Sequence, residues 1–122
     1  MTDIMRVLVV DDDPMQLALV ERALPPEWFT VRCVGSTADM VAAGPRFAPQ
    51  VVLVDVNMPD ASADQTVALA RKAAPGALVV LYSAWEDSKL RSLAMRLGAD
   101  TFISKSESVI GIGRRLRELY KG

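Results

Sequence analysis

The sequence predicts an α/β fold: a doubly wound parallel sheet of five strands with five helices. Two observations carry that prediction. Five short, apolar, β-branched runs alternate with five segments whose apolar residues recur at helical spacing. The runs are almost continuously apolar rather than alternating, which is the pattern of strands buried on both faces. Right-handed crossovers then make a doubly wound sheet the economical arrangement. At 122 residues the chain has single-domain length, and no linker, repeat or low-complexity stretch divides it. Residues 1–122 are therefore read as one domain, with no attached effector in view.

The elements follow in order. Ile4–Val10 is a strand that ends at Asp11-Asp12-Asp13, and Asp13-Pro14 reads as an N-cap and first helical position. Leu17, Val20 and Leu24 continue that helix until Pro25-Pro26 stops it. Phe29–Val34 is the second strand, closed by Gly35, and a short helix runs from Ser36 to fade at Gly44-Pro45. Gln50–Val54, the most hydrophobic strand, runs straight into Asp55. Val67, Ala70 and Ala74 mark one face of the third helix, which Pro75-Gly76 ends. Ala77–Tyr82 is the fourth strand; Leu90, Leu93, Ala94 and Leu97 stripe the fourth helix, and Gly98 suits its C-terminal turn. Thr101–Ser104 is a short fifth strand. Val109, Ile112, Leu116 and Leu119 line the last helix, which Gly111 and Gly113 weaken by about 1 kcal/mol each relative to Ala.

Composition excludes several classes of function. Fourteen basic and fifteen acidic residues give a net charge of −1, which supports neither broad nucleic-acid binding nor an anionic membrane surface. With no histidine, a Ser-His-Asp triad and a His-ligated zinc are out, and the lone Cys33, read as a buried structural thiol, can form no internal disulfide. The start of the chain reads as neither a signal peptide nor a membrane span, so the expected address is the cytoplasm.

The polar residues are informative by position. Asp11 and Asp12 follow the first strand, Asp55 the third, Ser83 the fourth and Lys105 the fifth. In an open parallel sheet these strand ends share one edge, where ligands bind. Like-charged carboxylates about 5 Å apart cost roughly 3 kcal/mol per pair at an effective dielectric near 20, so such a cluster calls for a cation. Hard carboxylate oxygens without His or Cys select Mg²⁺ over zinc. A carboxylate beside a divalent ion, a lysine and a hydroxyl is the equipment for making an acyl phosphate. Each residue has a plainer reading: Asp13 a helix cap, Asp11 or Asp12 a polar loop residue, Asp55 a turn, Ser83 a cap, Lys105 a solvated lysine. For Asp13 the cap is the better reading; for the others, convergence on one edge argues against all of the plainer readings at once.

These segments resemble the receiver domain of bacterial two-component response regulators over essentially the whole chain. RVLVVDDDP resembles the family's first strand and acidic pair, VVLVDVNMPD its phosphoacceptor strand and loop, LYSAWED its switch segment and GADTFISKS its fifth-strand signature. The resemblance implies a flavodoxin-like sheet in strand order 2-1-3-4-5. It makes Asp55 the phosphoacceptor and Asp11, Asp12, Asp55 and the Asn57 carbonyl the Mg²⁺ ligands, with Asp12 the more direct of the acidic pair. Ser83 and Phe102 become the switch residues and Lys105 the conserved-type lysine. The implied partners are a sensor histidine kinase or phosphotransfer protein upstream and a downstream protein or output domain. Such a domain is an acceptor with slow autodephosphorylation rather than a turnover enzyme, and it makes no direct contact with nucleic acid or membrane.

Three departures stand out. The family's Lys-Pro is Lys105-Ser106 here, where a cis bond would cost about 2.5–4 kcal/mol. The loop Asp60–Asp64 lacks the usual glycine, and Trp85 is expected to crowd the entry to the acyl phosphate. Arg114, Arg115, Arg117 and Lys121 read as a solvated face. The alternative functions are a degenerate receiver acting as a scaffold without phosphorylation and a haloacid-dehalogenase-type phosphatase using Asp11-x-Asp13. A nucleotide or flavin binder is a third, but it lacks both glycine-rich phosphate loops.

Overall fold

The computed structural model describes residues 4–105 and 111–121. Its elements alternate as β1 (Met5–Val10), α1 (Pro14–Ala23), β2 (Phe29–Val34), α2 (Thr37–Phe47), β3 (Val51–Asp55), α3 (Ala63–Ala73), β4 (Leu78–Ser83), α4 (Asp87–Leu97), β5 (Thr101–Ser104) and α5 (Ile112–Lys121). The strands form one parallel sheet in the order β2-β1-β3-β4-β5. Val109 and Ser106 lie outside the described residues.

Alternate residues of the same strands feed two cores. Leu8, Val10, Val52, Val54, Val79 and Leu81 meet Met40, Val67, Ala70 and Leu93 from α2, α3 and α4. Val7, Val9, Leu53, Val80 and Ile103 meet Val20 of α1 with Ile112 and Leu116 of α5. Both faces are thus covered, which is why the central strands β3 and β4 are apolar almost throughout, while the edge strand β2 carries Thr30 and Arg32. Among the described residues no buried side-chain polar atom lacks a hydrogen-bond partner, and no helix is long and apolar enough to cross a membrane.

Helix boundaries follow local chemistry. Asp13 caps α1, its carboxylate accepting from the Met15 amide at 2.9 Å, with Pro14 at the first position. Gly98 ends α4 in the left-handed conformation, at φ 75°. Ser62 and Gln65 form a reciprocal capping box at the start of α3. The loop before it contains no residue of positive φ, so it turns without the glycine that the resemblance led one to expect.

Three expectations need correction. α2 does not fade at Gly44-Pro45 but runs on to Phe47, with Pro45 inside its last turn. Gly44 has no Cβ to clash with the proline ring, and its carbonyl is satisfied by the Ala48 amide at 2.9 Å. Cys33 is half-buried rather than buried; burial, with a smaller push from Glu21, raises its thiol to about 11, so it stays protonated and inert at neutral pH. The arginines of α5 are not simply solvated. Arg115 donates to the Phe102 carbonyl at 3.2 Å, and the Arg117 guanidinium lies 3.7 Å from the centre of the Trp28 ring. The side chain of Lys121 lies outside the described part of the structure.

Candidate functional site

The carboxyl ends of β1, β3, β4 and β5 meet at one edge because the parallel register aligns them: Val10 lies beside Val54, Asp55 beside Tyr82, and Ser83 beside Ser104. Asp11 continues β1 and is held there by its amide, which donates to the Val34 carbonyl at 3.1 Å. Asp11 is 1% exposed and Asp55 6%, while Asp12 faces solvent. One carboxylate oxygen from each of the three lies within 4.8 Å of the others.

Lys105 enters this cluster from the end of β5. Its Nζ donates to Asp11 Oδ2 at 2.8 Å and to Asp55 Oδ2 at 3.1 Å, and it lies 5.2 Å from the centre of the Tyr82 ring. Its backbone is fixed by a 2.7 Å hydrogen bond from the Lys105 amide to the Ser83 carbonyl. Burial works against the ammonium, but hydrogen bonds and charge from Asp11 and Asp55 outweigh it and hold Lys105 above the ordinary lysine range. The remaining carboxylate oxygens are held by short turns. The Asn57 amide donates to Asp55 Oδ1 at 2.9 Å and the Asp13 amide to Asp11 Oδ1 at 3.0 Å.

The structure therefore brings together Asp11, Asp12, Asp55 and Lys105. Ser83 is buried at the end of β4, its hydroxyl oxygen accepting from the Trp85 amide at 3.2 Å, so it does not cap α4. Asn57 is exposed in the loop after β3. Phe102 is half-buried in β5, on the side of α4, with the Arg91 guanidinium 5.8 Å from its ring centre. Trp85 is 40% exposed beside Ser83.

One ammonium against three carboxylates leaves the cluster under-neutralised. The donors are hard oxygens, and Asp12 is open to solvent. That set fits a small divalent cation that keeps most of its water, as Mg²⁺ does.

Two residues were not legible as parts of this edge. Tyr82 reads in the sequence only as a strand residue, yet its ring forms the wall beside Lys105. Asp60 sits in the loop after β3, and its carboxylate accepts from the Thr37 amide, the Thr37 hydroxyl and the Ala38 amide, tying that loop to the start of α2. The Thr37 hydroxyl bond, against a smaller cost of burial, holds the Asp60 carboxyl below its usual range. The partners are 23 residues apart, and no spacing in the sequence announces them.

With fold and site in place, the class is plain: residues 7–116 match the response regulator receiver domain, and the chain belongs to that family. It is 33% identical over 115 residues to "Probable transcriptional regulatory protein TcrX" of Mycobacterium tuberculosis, covering 94% of this chain and 49% of that one. It is 29% identical to the DNA-binding response regulator MtrA of Mycolicibacterium smegmatis, covering 92% and 50%. The chain thus spans about half the length of the curated relatives it matches. Among solved structures, the signal receiver domain of NarL from Mycobacterium tuberculosis superposes with a TM-score of 0.85 at 27% identity, covering 98% of both chains. The BeF3-activated DrrB receiver domain shares the fold with a TM-score of 0.84 at 22% identity, covering 98% of this chain and all of that one.

Proposed function

We propose that this receiver domain accepts a phosphoryl group on Asp55 from the phosphohistidine of a sensor kinase or phosphotransfer protein. The observation that carries the reading is the buried Asp55 carboxylate sharing Lys105 with Asp11. A carboxylate oxygen of Asp55 attacks phosphorus as the P–N bond of the donor breaks, giving an acyl phosphate and a free imidazole on the partner. Lys105 starts within reach of that carboxylate and can follow the charge onto the phosphoryl oxygens. Ser83, at the end of the neighbouring strand, exchanges its bond to the Trp85 amide for one to a phosphoryl oxygen. Asp11, Asp12, Asp55 and the Asn57 carbonyl are the residues that would hold Mg²⁺. When bound, the ion supplies charge neutralisation for the carboxylates and the incoming phosphoryl group.

The domain works in this reading as one unit over residues 1–122, an acceptor that passes a surface change at Phe102 to an output domain or a separate protein. The relatives named as transcriptional or DNA-binding regulators support an output of that kind, while the net charge of −1 speaks against DNA contact by this domain itself. The phosphatase alternative loses ground because the Asp13 carboxylate is spent on capping α1. Trp85 follows Ser83 by two residues and its amide donates to the Ser83 hydroxyl. Trp85→Ala is expected to shorten the acyl-phosphate lifetime; an unchanged half-life removes the crowding role.

The test is incubation with Mg²⁺ and acetyl phosphate, followed by intact mass. A single phosphoryl adduct in the wild type, absent in Asp55→Ala, is the expected result. No adduct with several small donors, and no binding of a beryllofluoride mimic, would leave the phosphorylation-independent scaffold as the function.

A further inference from the structure

A second site lies at the opposite edge of the sheet. Trp28 immediately precedes β2 and Phe29 opens it; the far end of the strand meets Asp11, so the two sites are separated by a six-residue strand, roughly 16 Å. Here Ala23, Pro25, Phe29 and Gly113 form the floor of an open groove of about 580 Å³ between the end of α1 and the first turns of α5. Gly113 lets α5 approach the base of the groove closely: a Cβ there would stand 3.3 Å from the Phe29 ring and 3.4 Å from the Ala23 carbonyl. The glycine that costs α5 helical propensity is used for this close approach.

The rim of the groove is basic. Arg22, Arg114 and Arg117 line it, and among the described residues none of the three forms an ion pair. Trp28, 42% exposed, is stacked by the Arg117 guanidinium at 3.7 Å. A cation held over a ring face does not use up its N–H donors on that contact, so they remain available to a carboxylate. In a protein of net charge −1, three guanidiniums without an ion pair among the described residues thus surround an apolar floor.

We propose that this groove docks an acidic peptide segment of a partner protein, one that seats an aliphatic or aromatic side chain on the floor and places carboxylates on Arg22, Arg114 and Arg117. Charge complementarity selects the carboxylates, and the apolar floor selects a peptide. A nucleic-acid backbone would leave that floor unfilled and would find only three cations, too few for a phosphate track. The reading is independent of phosphorylation at Asp55.

The test is an NMR titration of the full chain, following the two indole N–H signals. The probe is a twelve-residue peptide carrying four glutamates around a central Leu-Phe pair. Expected are shifts at the Trp28 indole and at the Phe29 and Gly113 amides, with a Kd on the order of 100 μM and no movement of the Trp85 indole. Replacing the glutamates by Gln, or Leu-Phe by Ala-Ala, should weaken binding at least tenfold. Arg114→Glu, at an exposed position that leaves the Trp28–Arg117 stack intact, should do the same with an unchanged melting curve. Absence of shifts at Trp28 at millimolar peptide overturns the proposal. So does equal binding of the Gln peptide, or tighter binding of a DNA oligonucleotide or of anionic vesicles.

Discussion

At the sheet's carboxyl edge a single ammonium serves two buried carboxylates, and the balance at that one residue shapes the site. Lys105 lies 2.8 Å from Asp11 and 3.1 Å from Asp55. Replacing it by Met leaves both carboxylates buried without their counter-charge, which should cost about 3 kcal/mol of stability at pH 7. The pH dependence follows from the direction of its shift. Because the folded state holds Lys105 above its unfolded value, the stabilisation is fully present below the ordinary lysine range and is lost as pH rises through the folded value. Urea unfolding of wild type and Lys105→Met should therefore show a constant difference from neutral pH up to about 10, narrowing only beyond it. A difference that vanishes between pH 7 and 9 would mean that the ion pairs are not what Lys105 contributes.

Between elements, the tightest constraint is where α2 crosses α3. A Cβ on Gly44 would stand 2.8 Å from both the Cβ and the carbonyl oxygen of Ala73, so the glycine is what lets the two helix backbones meet. Gly44→Ala gains helix propensity but forces the helices apart, and a net loss of about 1–3 kcal/mol is expected in denaturant unfolding. A neutral or stabilising result would show that α2 shifts freely on α3. The same pair is joined at its other end by Asp60, whose carboxylate ties the β3–α3 loop to the first turn of α2. The loop carrying Asn57 is thereby anchored by a residue outside the acid cluster. At the base of the sheet Arg71 plays a comparable part, bonding Asp100 at 3.1 Å, while Asp100 accepts from the Val79 amide at 2.8 Å.

On the scale of the whole molecule, the acid cluster works against folding until something neutralises it. A cation that binds only the folded state adds RT ln(1 + [L]/Kd), about 2.7 kcal/mol at a hundredfold excess over Kd. Millimolar Mg²⁺ should therefore raise the melting temperature, EDTA should reverse the rise, and Asp12→Asn should blunt it. An equal rise in the Asp12→Asn and Asp55→Asn variants would place the ion elsewhere. The two ends of the sheet then carry separate tasks, with charge chemistry at the carboxyl edge and the basic groove near the start of β2.

The sequence by itself determined the order and type of every element, because buried parallel strands and capped helices leave strong local signals. Phe29–Val34 and Thr101–Ser104 match the structure residue for residue. It also located Asp11, Asp12, Asp55, Ser83 and Lys105 on one edge, since strand ends in a parallel sheet must share it. Tertiary structure alone decided what depends on contacts between distant residues. The sharing of Lys105 across 94 and 50 residues is one such case, and the Asp60 tie to Thr37 is another. The run of α2 through Pro45 and the stacking of Arg117 on Trp28 belong with them, because each rests on a partner that no local pattern encodes.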